Sequence, residues 1–559
     1  MKRILLSFLF LALSAMFVKG QSQRLVLLEE FTQASCGPCA SANPGIMSIL
    51  NANPTKITGI FYHTSWPGYD PMYLHNTVDP NARVAYYGIN YVPYSVLDGN
   101  YYSGAPSGWN INTVNTRYSV PSPLEITINT RLSVNNDSIY ATMLVNAKAD
   151  ISGSLAAQLV IIEKHIHFNS PPGSNGEKEF YNVVKKMLPS AAGTPLPNSM
   201  KTGDYLIIQS SWKLANVYTA SELTAVGFVQ NNSGKEVLQA ANTSLTPMTG
   251  VYANDAELLS VSNVMNKYCS QQISPVIVIR NNGSLPLNSL NIKYLVTPGD
   301  TSSYQWNGNL GFLETATVEL PTLNFILGNQ NTLKVFTLTP NHVIDEYRKN
   351  DTLIKGFSRA PVSSISVTTQ IKTDNNPQET TWDLKDSQGQ VIYSGGPYAN
   401  PLTLYQQAMA LQHGECYTFT IYDSGNNGIC CSNGYGFYIL LDGSNIIITG
   451  APFTSKQSVQ FSTTVNTGIE QPQVQTTLSV YPNPFAKAAT ITFGLTSAAK
   501  AKIQVVNLMG QNVLEIPEAF YTAGNHEVLL EGSNLKPGLY QVVLTVGSQV
   551  YTTRVSLSK

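Results

Sequence analysis

The chain has 559 residues, room for several domains at ~100–200 residues each. Its 33 basic and 34 acidic side chains leave a net charge of −1, which excludes the electrostatic footprint that nucleic acid or an anionic membrane would require of a partner. Charged residues make up only 12%, about half the usual ~25%, and 30 tyrosines beside plentiful Asn, Ser and Thr suit a secreted, β-rich protein.

Lys2 and Arg3, an apolar run from Ile4 to Val18 and the small residue Gly20 read as a signal peptide over residues 1–20. No later stretch reaches the roughly 18–20 apolar residues of a membrane helix, so no transmembrane helix is expected in the mature chain. Arg24 to Phe31 is an apolar run of strand length, and Ala40 to Leu50 continues as helix despite Pro44. Between them stands Cys36-Gly37-Pro38-Cys39. Two thiols at this spacing can close a small disulfide ring. A first cysteine that begins a helix has its thiolate stabilised by free N–H groups and by the positive end of the dipole.

These residues resemble the thioredoxin superfamily. LLEEFTQASCGPC is similar to its passage from strand to active site, and YVPYSVLDG, Tyr91 to Gly99, is similar to its cis-proline loop. The resemblance implies a thioredoxin-like domain over 21–119. In it Cys36 attacks a disulfide, Cys39 resolves the mixed disulfide, Glu30 handles the proton and Pro93 lies against the sulfurs. It implies no cofactor, and polypeptide thiols or disulfides as substrates. The competing reading is a surface binding or adhesion protein in which the Cys36–Cys39 disulfide is a static part of a scaffold, because a fold alone does not establish activity. Zinc at Cys36 and Cys39 lacks two further ligands in sequence reach. The insertion before Pro93 carries His63, Trp66, Tyr69, Asp70 and His75 at spacings that support no metal site, and reads as a tyrosine-rich cover.

After Pro121 the apolar period changes to two. Leu124, Ile126 and Ile128 alternate with polar residues, then Ile139, Ala141, Met143 and Val145 alternate back, as in a hairpin of a β-sandwich domain over 120–245. Further strands are expected at Leu155–Glu163, Tyr205–Trp212 and Ala225–Gln230, with a helical turn at Phe180–Leu188. His165 and His167 share a strand face without a third ligand. YHTSWPGYDP, AYYGINYVP and YNVVKKMLP resemble a Bacteroidota family related to a 28-kilodalton outer membrane protein, which implies a surface location.

Residues 246–360 read as an Ig-like domain, with Cys269 as a buried small hydrophobe. Residues 361–465 read as a cysteine-containing β-sandwich in which Cys416 is expected to pair with Cys430 or Cys431. Asp423 and Asn427 occupy the first and fifth places of a calcium loop, but Gly425 and Gly434 stand where further ligands belong, and a glycine-rich hairpin is the better reading. A linker follows at 466–477. From 478 to 559, LSVYPNP, NLMGQ and LKPGLY in that order resemble the type A C-terminal sorting domain of the type IX secretion system. That resemblance implies the secretion machinery as a partner and a cell-surface or extracellular location. The expected fold class is multidomain α/β plus all-β, an N-terminal thioredoxin-like domain followed by several Ig-like or β-sandwich domains.

Overall fold

Strand β1 (Val26–Thr32) is buried at every position. A strand covered on both faces reads as a near-continuous apolar run, and VLLEEFT departs from it chiefly at Glu29 and Glu30, which the pleat sends to opposite faces. Val26 and Leu28 pack with Ile46, Met47 and Leu50 of helix α1 (Gly37–Ala52), whereas Leu27 and Phe31 join a separate cluster with Tyr62, Val160 and Phe228. These elements belong to a computed structural model that describes residues 21–431, 433–450, 452–464, 477–495, 498–547 and 549–558. The expected signal peptide at 1–20 lies outside the described residues, as does nearly all of the expected linker.

After α1 come β2 (Ile57–His63), α2 (Pro71–His75), α3 (Val78–Tyr87), β3 (Tyr94–Leu97), β4 (Tyr102–Gly104) and α4 (Ile111–Tyr118). β5 (Leu124–Leu132), β6 (Ser138–Ala147), β7 (Ile151–Ser152), β8 (Leu155–His167) and β9 (Glu179–Leu188) follow, then β10 (Thr194–Pro195), β11 (Ser199–Met200), β12 (Tyr205–Lys213), β13 (Leu223–Asn231) and β14 (Val237–Asn242). A nine-stranded sheet runs β14-β13-β8-β9-β2-β1-β3-β4, with β10 added on β8. The three-stranded sheet β12-β6-β5 covers one end of it through Ile128, Met143, Leu159, Ile161 and Val229.

This arrangement overturns the expected α/β thioredoxin-like domain followed by separate sandwiches. The chain is predominantly strand, and the sheet that carries β1 takes β8, β9, β10, β13 and β14 from residues beyond 150. The physical reason lies in β2, which is buried at all seven positions. Its free edge needs a partner, and β9 supplies it in parallel register, Phe61 opposite Val183. The helical turn expected at Phe180–Leu188 is therefore a strand. A register shift between Ile161 and Ile162 inserts Lys185 as an extra residue in β9. Such a bulge breaks the period of two that marks a strand in sequence.

Two buried ionic contacts hold the layers together. Glu29 receives both the Nε and Nη2 of Arg83 from α3, at 2.9 and 2.7 Å, with Tyr87 donating to its other oxygen at 2.6 Å. Asp98, at the end of β3, accepts from Arg24 at 2.9 Å, from Arg117 of α4 at 2.7 Å and from the Leu27 N–H at 2.8 Å. Arg24 also donates to the Val237 carbonyl of β14 at 2.9 Å, so this one side chain ties the segment leading into β1 to the last strand of the body.

The described residues beyond β14 form mainly antiparallel sandwiches of the Ig-like kind, with parallel pairing where residues 267–268 meet 358–359 and where residues 362–363 meet 462–463. Their cores are centred on Ile277, Leu290 and Val335, then on Val367, Phe419 and Phe461, then on Ile491, Val505 and Val542. The expected pairing of Cys416 with Cys430 or Cys431 does not occur. Cys416 bonds to Cys269 across a separation of 147 residues, and Cys430 bonds to Cys431. Module packing decides the partner, since the Cys269 N–H donates to Gln460 Oε1 at 3.0 Å and thereby seats the preceding strand against the next sandwich. Cys269 is thus a bridge between modules and not an isolated core thiol.

Closing a loop of 147 residues removes up to about 5 kcal/mol of chain entropy from the unfolded state. Cys269→Ser is expected to lower the melting temperature of the 246–464 region and to release a free Cys416. Calorimetry with non-reducing peptide mapping checks both outcomes, and a Cys416–Cys430 or Cys416–Cys431 peptide from the wild type would contradict the pairing.

Candidate functional site

The CGPC segment begins α1. Cys36 is the N-cap in extended conformation, and its Sγ accepts the Cys39 N–H at 3.1 Å. Pro38 falls in the first turn, where a missing N–H leaves no intrahelical bond unmade. The helix continues through Pro44 and carries no charged side chain along its whole length. Cys36 and Cys39 form a disulfide of 2.05 Å, with Cys39 fully buried and Cys36 only 3% exposed.

The loop leading to β3 lies beside this pair. Cys36 Sγ is 3.7 Å from the Val92 carbonyl, and the Val92–Pro93 peptide is cis. The antiparallel register then sets Ser95 opposite Glu30 and Tyr94 opposite Phe31. The Ser95 hydroxyl donates to Glu30 Oε2, while Glu30 Oε1, fully buried, has no hydrogen-bond partner among the described residues. Burial pushes the Glu30 carboxyl up to about 8, against the opposing pull of the Ser95 hydrogen bond. The carboxyl is therefore protonated at neutral pH. Cys36, Cys39 and the Pro93 loop thus meet at the start of α1, and Glu30 pairs with Ser95, two residues after Pro93.

Two loops grip the turn before Cys36. From one side, Ala34 N donates to Asp70 Oδ2 at 2.7 Å and Ser35 Oγ donates to the Tyr69 carbonyl at 2.8 Å. Asp70 also pairs with His63 at 2.6 Å. Burial would raise its carboxyl, but the His63 interaction and the N–H groups of Ala34 and Tyr73 outweigh this and hold it below the ordinary range. From the other side, the segment 173–177 reaches back from between β8 and β9. Asn175 N donates to the Ala34 carbonyl at 3.3 Å, and its side chain donates to the Gln33 and Cys36 carbonyls at 3.3 Å each. A Cβ on Gly173 would stand 2.1 Å from the Ala34 carbonyl oxygen, so only glycine allows this approach. Sequence reading missed Asn175 and Glu177, because contacts made about 140 residues away along the chain leave no local spacing.

The remaining singled-out residues lie elsewhere. His75 stacks on Tyr218 and meets Lys185 at 3.1 Å, while His165 and His167 both contact Glu179. Asp423 is buried and spends Oδ1 on the Gly425 N–H at 2.6 Å, as a turn requires, and Asn427 is exposed. Among the described residues no group of three or more His, Cys, Asp or Glu side chains is placed to hold a metal ion, and no helix is long and apolar enough to cross a membrane.

The family model for the secretion system C-terminal sorting domain matches residues 479–558. The terminal sandwich is therefore a sorting domain, and the chain is a secreted protein of Bacteroidota type, handled by the secretion machinery and delivered to the cell surface or extracellular space. No curated protein matches the chain. Among solved structures it is similar to HBP35 of Porphyromonas gingivalis, at 15% identity over 51% of this chain and 98% of that one, with a TM-score of 0.34. It is also similar to the BSP domain of a biofilm associated protein, at 8% identity over 78% of this chain and 96% of that one, with a TM-score of 0.14. A tetra-tandem repeat from the extending region of a large adhesion protein gives 11% identity over 78% and 100%, with a TM-score of 0.13. TM-scores this low do not establish a shared fold.

The buried Glu30 makes a pH prediction. Its folded value of about 8 lies above that of an unfolded glutamate, so the folded state binds the extra proton and is favoured at low pH. Its contribution falls by about 1.4 kcal/mol per pH unit between the two values. Glu30→Gln should remove this slope, so the variant gains on the wild type from about pH 5 to about 8 and the gap is flat outside that window. Denaturant unfolding of both oxidised proteins at three pH values measures it.

Proposed function

We propose that this secreted surface protein carries out thiol–disulfide exchange at Cys36–Cys39 and that its sandwich modules hold that site away from the cell. The observation that carries the reading is Glu30, a protonated carboxyl with an unpartnered oxygen on the α1-facing side of β1. Burying such a group against an otherwise apolar core costs stability, and a proton-exchange role accounts for its presence.

In the oxidised state a substrate thiolate attacks Cys36 Sγ, forming a mixed disulfide, and the Cys36–Cys39 bond breaks. Cys39 leaves as thiolate and takes the proton held by Glu30. A second substrate thiolate then attacks the substrate sulfur of the mixed disulfide and releases Cys36. The substrate is oxidised by two electrons and the pair is reduced. The reverse sequence reduces a substrate disulfide, with Glu30 as carboxylate receiving the Cys39 proton. The aromatic rim of Tyr69, Tyr91 and Tyr94 around the loops suits a polypeptide substrate.

A second reading has its own observation. Cys36 is only 3% exposed, and a nucleophile must be reached. In that reading the disulfide is static and the chain is a surface binding or adhesion protein built of β-sandwiches. The resemblance to the 28-kilodalton outer-membrane-protein family fits the surface location in either case.

Trapping separates the two. Cys39→Ser is expected to accumulate mixed disulfides with extracytoplasmic polypeptides, and Cys36→Ser to trap far less, as non-reducing electrophoresis reads. If Cys39→Ser captures nothing and the wild type neither oxidises nor reduces a model disulfide peptide, the pair is structural. Removing residues 478–559 should leave the protein in the periplasm, as fractionation shows.

A further inference from the structure

We infer that Glu177, on the segment that crosses the start of α1, is a positioning residue that sets the acidity of Cys36. The inference rests on the exchange reading for its purpose, but its test reads the thiol itself. Glu177 Oε1 accepts from Asn43 Nδ2 at 2.8 Å, in the second turn of α1, and Oε2 accepts from Asn175 Nδ2 at 2.5 Å. Asn175 in turn donates to the Cys36 carbonyl at 3.3 Å and turns its Oδ1 to the Glu177 N–H at 2.9 Å. One carboxylate is thus fixed at both oxygens beside the first turns of a helix that has no charge of its own.

The location determines the effect. A helix N-terminus favours negative charge, and a cysteine there ionises readily because the dipole and free N–H groups stabilise its thiolate. A second anion held in the same field favours the neutral thiol. The other titratable and charged groups near this site are Glu30 on β1, the Asp70–His63 pair at β2 and α2, the phenols of Tyr69, Tyr91, Tyr94 and Tyr102, and Lys178, the residue after Glu177. Glu179, paired with His165 and His167, lies further along β9. Glu30 is protonated and Asp70 is paired with His63, so Glu177, whose carboxylate meets the amides of Asn43 and Asn175 and no ionic partner among the described residues, is the carboxylate whose charge bears on the thiol. The approach is built for close contact from both sides, since a Cβ on Gly68 would stand 2.7 Å from Ser35 Cβ and one on Gly173 would meet the Ala34 carbonyl.

The consequence is a Cys36 that stays a thiol at a pH where an unopposed N-cap cysteine would be a thiolate. The segment then restrains reactivity until a substrate displaces it or neutralises its charge.

The test uses the reduced full-length protein and iodoacetamide, in which Cys36 sulfur displaces iodide after losing its proton. The rate of Cys36 modification, read by mass spectrometry from pH 5 to 9, gives a midpoint. Glu177→Gln keeps the shape and removes the charge, and should lower that midpoint by roughly half to one pH unit. Glu177→Asp should restore it in part, and 0.5 M salt should narrow the difference between wild type and Glu177→Gln. Asn175→Ala, which releases the carboxylate from its seat, should shift the midpoint in the same direction. An unchanged midpoint in Glu177→Gln, or no modification of Cys36 at any pH in either protein, overturns the inference. A shifted midpoint together with failed trapping by Cys39→Ser upholds it and removes the exchange reading alone.

Discussion

Everything around the CGPC turn depends on one strand that is buried on both faces yet carries two adjacent carboxyls. The pleat separates them. Glu29 meets the fully buried Arg83, so its charge is matched by a bidentate partner and by Tyr87. Glu30 meets only the Ser95 hydroxyl and keeps its proton. The same dry environment has opposite results because a buried charge persists only when paired. A slip of one residue in the β1 register would exchange the two environments and strand Arg83 against an apolar core.

Asp98 performs the complementary task at the edge of the sheet. It takes Arg24, Arg117 and a backbone N–H at once, and sits at φ 44°, where the chain turns back on itself. Its partners come from the segment just before β1, from α4 and, through Arg24, from β14. The body thereby closes on itself before the first sandwich begins, which leaves the loops at the start of α1 supported by a continuous sheet.

What could be read in the sequence was what is local. Cys36 and Cys39 announce themselves by spacing, and the alternation from Leu124 to Val145 yields the β5–β6 hairpin. The sorting motifs recur in order over residues 479–558. What could not be read is set by packing between distant segments. β9 looks helical because Lys185 bulges out of register, and its role as the edge partner of β2 depends on an edge that no local pattern reveals. Asn175 and Glu177 belong to a polar, glycine-rich stretch that resembles any surface turn. Cys269 stands alone in its own module because its partner lies in the next one, and the contact that joins them, through Gln460, involves a third segment. For the same reason the sequence does not reveal that strands on both sides of residue 119 share one sheet.

The Cys269–Cys416 bridge has a mechanical meaning. A surface protein held through one end and engaged through the other carries load along its backbone, and a covalent bond between sandwiches diverts that load. The stretch between the two sulfurs, a sequence separation of 147, is taken out of the line of force, which hides about 500 Å of extensible chain at ~3.4 Å per residue. While the bond is intact, tension passes from the strand at Lys267–Tyr268 directly into the strand that begins at Cys416. Pulling can therefore open the outer strands of each sandwich, but the length stored between them is released only when that sulfur bridge is cut.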